Sequence, residues 1–204
     1  MLRLVVLILV ATMVGSAAVG LETVADHGVA FVLEGIHLPE TKVVDGVTLV
    51  RNGEGVRNFS IFGMDVRIYV AGFWTAEQLQ SIEEVLACEQ PKQMDFTFLR
   101  TVGQGRVSGA WQHQLAASVT YKYEGYEADR DAFINAFGQI ESGGTESVLM
   151  IGDETRLVDQ GVLKGIIHGK NFQRSFLSMW FGEQAVTADL KSGLLGMNRR
   201  NVAA

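Results

Sequence analysis

The stretch GVRNFSIFGMDVRIYVAGFW, residues 55–74, carries two arginines and a tyrosine inside what otherwise alternates like a pair of strands. Phe59 and Ile61 alternate with Asn58 and Ser60, and beyond a turn expected at 62–65 Val66, Ile68 and Val70 oppose Arg67, Tyr69 and Ala71. A guanidinium offers a planar two-pronged donor to a carboxylate, and a nearby phenol adds a second hydrogen bond. Arg57 with Tyr69 is therefore a candidate anion contact. The competing reading pairs Arg57 with Glu54 or Asp65 to hold the turn, leaves Tyr69 as an ordinary strand residue, and lays the Arg67 stem along the sheet with its head in water.

Other chemistry is sparse. His27, His37, His113 and His168 are scattered, and neither an HExxH nor a CxxC spacing occurs, so no metal site and no cofactor are expected. No G-x-S-x-G elbow is present. The single cysteine, Cys88, has no disulfide partner within the chain and reads as a small half-buried apolar residue. The glycines of FTFLRTVGQGRVSG could cradle a phosphate at a helix start, but the chain continues as helix after helix rather than as further strand–helix–strand units, so a plain helix-start loop is the stronger reading. Asn58-Phe59-Ser60 matches a glycosylation sequon by pattern alone.

These side chains must be held by a chain of 204 residues, 48% hydrophobic and 20% charged, with a formal net charge of −6. That supports one sizeable core, and the acidic balance argues against nucleic acid as a partner. Oligomeric state is left open. Residues 1–18 have the layout of a cleaved secretory signal peptide, with Arg3, an apolar run from Leu4 to Val14, and the small residues Ser16-Ala17-Ala18. The domain is expected over 19–204, and the protein is expected to be exported, periplasmic or secreted.

Short strands separated by turns are expected before residue 55, with Asp45-Gly46 as the strongest hairpin signal. A helix follows in TAEQLQSIEEVLA, with Thr75 and Gln78 as a candidate capping box. A strand carries Met94, Phe96 and Phe98 on one side. The next helix shows Val107, Trp111, Leu115 and Ser118, and the one after it Ala132, Phe133, Ala136 and Phe137. A ladder over ESVLMIGDETRLV and GVLKGIIHG precedes a helix ending at Gly182 and a last one from Thr187 to Gly196. This order predicts an α+β fold, an antiparallel sheet covered by helices on one face.

Three segments, GEGVRNFSIFGMDVRIYVAGFW, FLRTVGQGRVSGAWQHQL and GVLKGIIHGKNFQRSFLSMWFGEQAVTADLKSGLLG, resemble the chalcone isomerase superfamily in order and spacing, over about residues 41–196. The resemblance implies an open-faced β-sandwich, a large antiparallel sheet under a helical layer, with a ligand cleft between them. It also implies a set of cleft positions. The family arginine falls at Arg57. Tyr69 stands where the family has a strand threonine, Leu99 where it has a tyrosine ahead of Arg100, and Arg106 where it has an asparagine. Met179, beside Ser178, stands where it has a hydroxyl before the W-x-G segment. Cyclising a chalcone needs several positioned donors, and most are replaced. The resemblance therefore points away from an enzyme and toward the superfamily's fatty-acid-binding members, with a small amphiphilic carboxylate as ligand. An isomerase acting on chalcone-like enones and a partner-binding structural module are the alternatives.

Overall fold

The computed structural model describes residues 31–61, 63–118 and 123–197. The expected signal peptide, His27 and Phe62 of the expected turn lie outside these residues.

The elements are β1 (Phe31–Leu33), β2 (Ile36–Leu38), β3 (Thr41–Val44), β4 (Val47–Ile61), β5 (Met64–Thr75), α1 (Ile82–Ala87), β6 (Lys92–Phe98), α2 (Gln104–Ala117), α3 (Tyr126–Ala136), β7 (Thr145–Ile151), β8 (Glu154–Asp159), β9 (Val162–His168), α4 (Lys170–Phe181) and α5 (Ala188–Leu194). Strands β3 to β9 form one seven-stranded antiparallel meander in sequence order, and β1 pairs with β2 separately. This is the α+β architecture expected, with helices gathered on one side of the sheet.

Local chemistry explains the connections. Asp45 and Gly46 both have positive φ, 51° and 76°, and close a two-residue turn between the paired Val44 and Val47. Such a turn follows the right-handed twist of its strands. On one face of the sheet Tyr69, Phe73, Met94, Phe96 and Phe98 pack against Trp111, Phe133, Phe176 and Trp180 from the helices. On the other face Val70 and Trp74 meet Leu49, Val44 and Leu38, with β1 and β2 contributing cover. Each large apolar side chain so buried contributes about 1.5–3 kcal/mol.

Strand β4 is longer than the short strands expected, running 15 residues through Gly53 and Gly55. Those glycines do not break it. They admit α5, because a Cβ on Gly53 would lie 2.1 Å from the Gly193 carbonyl oxygen and one on Gly193 would lie 2.3 Å from that of Glu54. Asn52, fully buried, ties the same junction, donating to the Leu79 and Leu194 carbonyls at 3.0 and 2.8 Å and accepting from the Leu79 N–H at 2.6 Å.

Two local expectations are corrected. The helix after β5 begins at Ile82, not Thr75. Ser81 caps it by accepting from the Glu84 N–H, and Glu84 accepts in turn from the Gln80 N–H. Thr75 instead ends β5, its hydroxyl donating to the Glu77 carbonyl at 2.6 Å. On α3, Ala132 is exposed, and the buried stripe is Tyr126 and Phe133, continued by Phe137. The last helix matches expectation: Thr187 caps α5 by accepting from the Leu190 N–H, and Gly196 comes after it at φ 69°.

Candidate functional site

Arg57 and Tyr69 are direct partners in the β4–β5 ladder. Opposed residues of an antiparallel pair project to the same face. Their neighbours Val56 and Val70 pack with the second cluster, so Arg57 and Tyr69 face the helices. A register shift follows at Arg57/Asn58, beyond which Asn58 opposes Arg67. Arg57 is thus the last β4 residue aligned on the helix-facing side before the bulge and the hairpin end.

Neither ion pair weighed from the sequence forms. Glu54 is taken by Arg51, whose Nε lies 3.2 Å from its carboxylate, and among the described residues no carboxylate pairs with Arg57. The Arg57 guanidinium donates to the Asn58 carbonyl and lies 6.0 Å from the Phe59 ring. It is half-buried at the margin of the core. Arg67 is exposed and pairs with Glu34.

Tyr69 is 6% exposed and packs against Phe96 and Phe98, both with ring centroids at 5.4 Å. Burial pushes its hydroxyl up to about 12, outweighing the lowering by Arg57 and Trp180 and adding to the raising by Glu146. At neutral pH it is a protonated donor. The Trp180 indole favours the phenolate but falls short of hydrogen-bond geometry, and its N–H has no partner.

The other sequence-predicted site residues separate. Met179 is fully buried in the helix-facing core, on α4 beside Trp180. Ser178 next to it turns its hydroxyl back to the Arg174 carbonyl at 2.7 Å. Arg106 is exposed on the first turn of α2. Leu99 packs with the second cluster, on the opposite side of the sheet from Tyr69. The alternation past Phe98 explains this, since Phe98 takes the helix-facing position and the next residue faces away.

Sequence reasoning missed two residues. Arg51 is buried and structural, donating to the Leu38 carbonyl at 2.6 Å and pairing with Glu40 at 2.7 Å. Glu146 is 1% exposed on the helix-facing side of β7, and neither carboxylate oxygen has a hydrogen-bond partner. Burial, then Asp159 opposite it on β8, push Glu146 up to about 8. A signal existed for it: Glu146, Val148 and Met150 alternate, which puts an acid in line with two core residues.

Two surface clefts lie elsewhere. One is bordered by Glu77–Gln80, Glu84, Ala87 and Cys88, the other by residues that include Cys88, Lys92, Lys170 and Arg174. Lys92 is buried there, its pKa lowered chiefly by burial, and its ammonium donates to the carbonyls of Cys88 and Gln90. Those bonds account for it structurally. Cys88 Sγ has only a 4.0 Å contact with the Gln90 carbonyl, in keeping with its reading as a half-buried apolar residue. Among the described residues no group of three or more His, Cys, Asp or Glu side chains could hold a metal.

The family described as chalcone isomerase-like matches residues 30–196. A search of curated protein sequences finds no match. Among solved structures, the fold is similar to that of a fatty-acid binding protein of Arabidopsis thaliana, with a TM-score of 0.65, 14% identity, and coverage of 81% of this chain and 95% of that one.

Proposed function

The chain belongs to the chalcone isomerase-like family, and from that premise we propose that it is a non-catalytic binding protein for an amphiphilic carboxylic acid, such as a fatty acid. The observation that carries this reading is Arg57, an arginine without a carboxylate partner among the described residues, set directly across the ladder from a buried, protonated tyrosine. In this reading the ligand carboxylate accepts from the Arg57 guanidinium and the Tyr69 hydroxyl. Its tail runs between sheet and helices past Met179, among side chains such as Phe96, Trp111 and Trp180. An apolar path with a few polar groups at one end suits an amphiphile. The fatty-acid-binding neighbour of the same fold supports this choice of ligand. Neither of the two clefts described above borders Arg57 or Tyr69; in this reading the tail lies among the aromatic side chains over the sheet.

Export is part of the proposal, with the mature chain beginning after Ala18. Mass spectrometry of the exported protein tests it, and an intact Met1 terminus in a membrane fraction overturns it.

The decisive test of binding is organic extraction and native mass spectrometry of the purified protein, then titration with medium- and long-chain acids followed by tryptophan emission. Binding below millimolar that depends on Arg57 is expected. If no acid binds, the carboxylate reading falls and a partner-binding module takes its place.

A further inference from the structure

Several polar groups in the core are left without partners, the Thr155 hydroxyl and one carboxylate oxygen of Asp159 on β8 among them. The Glu146 carboxyl, the Trp111 indole N–H and the Trp180 indole N–H are all buried without a hydrogen-bond partner. All three gather around Phe96. That residue pairs with Glu146 across β6 and β7, and its ring lies 6.0 Å from Trp111, 5.2 Å from Trp180 and 5.4 Å from Tyr69. A buried donor or acceptor left unmade is costly, and native cores leave few such groups.

We propose that Glu146, Trp111 and Trp180 form a second, deeper subsite that takes an uncharged oxygen of the bound molecule, a keto or hydroxyl group part-way along an acyl chain. The proposal rests on the carboxylate reading and deepens it by making the ligand an oxygenated acid.

The chemistry of the groups selects the oxygen. An indole N–H only donates. Glu146, held neutral at pH 7 by burial and by Asp159, also has a proton to give. Donors of this kind suit a carbonyl or hydroxyl oxygen with its lone pairs. A second carboxylate does not fit, because Asp159 stands opposite Glu146 on β8, and Lys164, 3.6 Å from Asp159, is already paired with it. From β5, Tyr69 faces the same region and its hydroxyl stays protonated. From α2 and α4 the groups at this point are the two uncharged indoles. The carboxylate head therefore stays at Arg57, and the deeper subsite reads the chain behind it.

The test titrates wild-type protein with a saturated long-chain acid, a set of keto acids of the same length with the carbonyl at different positions, and a long-chain ketone lacking a carboxyl. At least one keto acid should bind about tenfold tighter than the plain acid. Glu146→Gln, which keeps an N–H donor, should retain most of that preference. Glu146→Leu should abolish it while plain-acid binding holds, and Trp180→Phe should reduce it. Equal binding of plain and keto acids at every position, or a preference untouched by both Glu146→Leu and Trp180→Phe, overturns the subsite and leaves ordered water as the partner of these groups. Should Glu146→Leu fail to fold, Glu146→Gln and Trp180→Phe still decide. If no acid binds at all, the ketone arm separates the two ideas. Ketone binding weakened by Trp180→Phe keeps the subsite and sinks the carboxylate head, whereas no ketone binding sinks both.

Discussion

Two arginines on one strand have different surroundings. Arg51 is buried near the start of β4, where the Leu38 carbonyl and the carboxylates of Glu40 and Glu54 surround its guanidinium. Arg57 sits near the far end, half-buried, with a carbonyl and a ring for neighbours and, among the described residues, no carboxylate. Both face the same strand partner, β5. The lesson is that an arginine on a strand is assigned by what already holds it. Arg51 joins β4 to the segment after β2, while Arg57 has donors to spare.

The contrast can be broken from the Arg51 side first. Arg51→Ala removes one partner of a buried ionic cluster and leaves Glu54 without its cation, which should cost about 3–5 kcal/mol of stability. Arg57→Ala should change stability by no more than about 0.5 kcal/mol. Urea unfolding of the two variants measures both. Equal losses would mean that Arg57 is structural too.

The next effect is on ligand. A hydrogen bond to a charged group contributes about 1.5–3 kcal/mol, so Arg57→Ala should weaken acid binding by about tenfold to a hundredfold. Arg57→Lys should recover part of it, because an ammonium lacks the planar fork. Tyr69→Phe should cost less than Arg57→Ala. Calorimetric titration reads all three, and wild-type affinity in Arg57→Ala would end the proposed role.

A smaller effect concerns pH. Glu146 is raised from an ordinary carboxylate value to about 8 in the folded protein. Between those values the folded state holds a proton that the unfolded state has lost, so stability falls as pH rises through that window and levels off above it. Melting curves from pH 5 to pH 8 should slope downward more steeply for wild type than for Glu146→Gln. Parallel curves would show that Glu146 is ionised in the native protein.

The smallest expected signal is none. With Leu99 turned to the other face, Arg106 exposed, and Met179 and Tyr69 in place of the family's hydroxyl residues, the donors for an enone are too few. A 2′-hydroxychalcone followed by absorbance should show no protein-dependent cyclisation. Turnover abolished by Arg57→Ala would restore the enzyme reading.

Much of the fold was legible because its determinants are local. The order of strands and helices follows from periodicity, the β3–β4 hairpin from Asp45-Gly46, and the ends of α4 and α5 from Gly182, Thr187 and Gly196. The start of α1 was misplaced because Thr75 and Ser81 both offer a capping pattern. The choice between them lies in tertiary contacts, the pairing of Thr75 with Val50 and the hydroxyl bond to Glu77. The extent of β4 was hidden for a similar reason. Glycine in sequence reads as a break, and only the α5 backbone lying against Gly53 shows it to be a place of close approach.

By itself the sequence determined the α+β class, the faces of most strands and the candidacy of Arg57 and Tyr69, since alternation and turn chemistry act over a few residues. It could not say that these two stand opposite each other, because register depends on the hairpin end and on the bulge at Arg57/Asn58. Nor could it say which arginine takes Glu54. Arg51 and Arg57 are equally far from it along the chain, and the structure gives it to Arg51, the buried one. Only the packed chain brings Glu146 from β7 beside Phe96, whose ring packs against the indoles of α2 and α4, because that meeting joins segments far apart in sequence, whose contacts form only once the sheet and its helical layer have closed on each other.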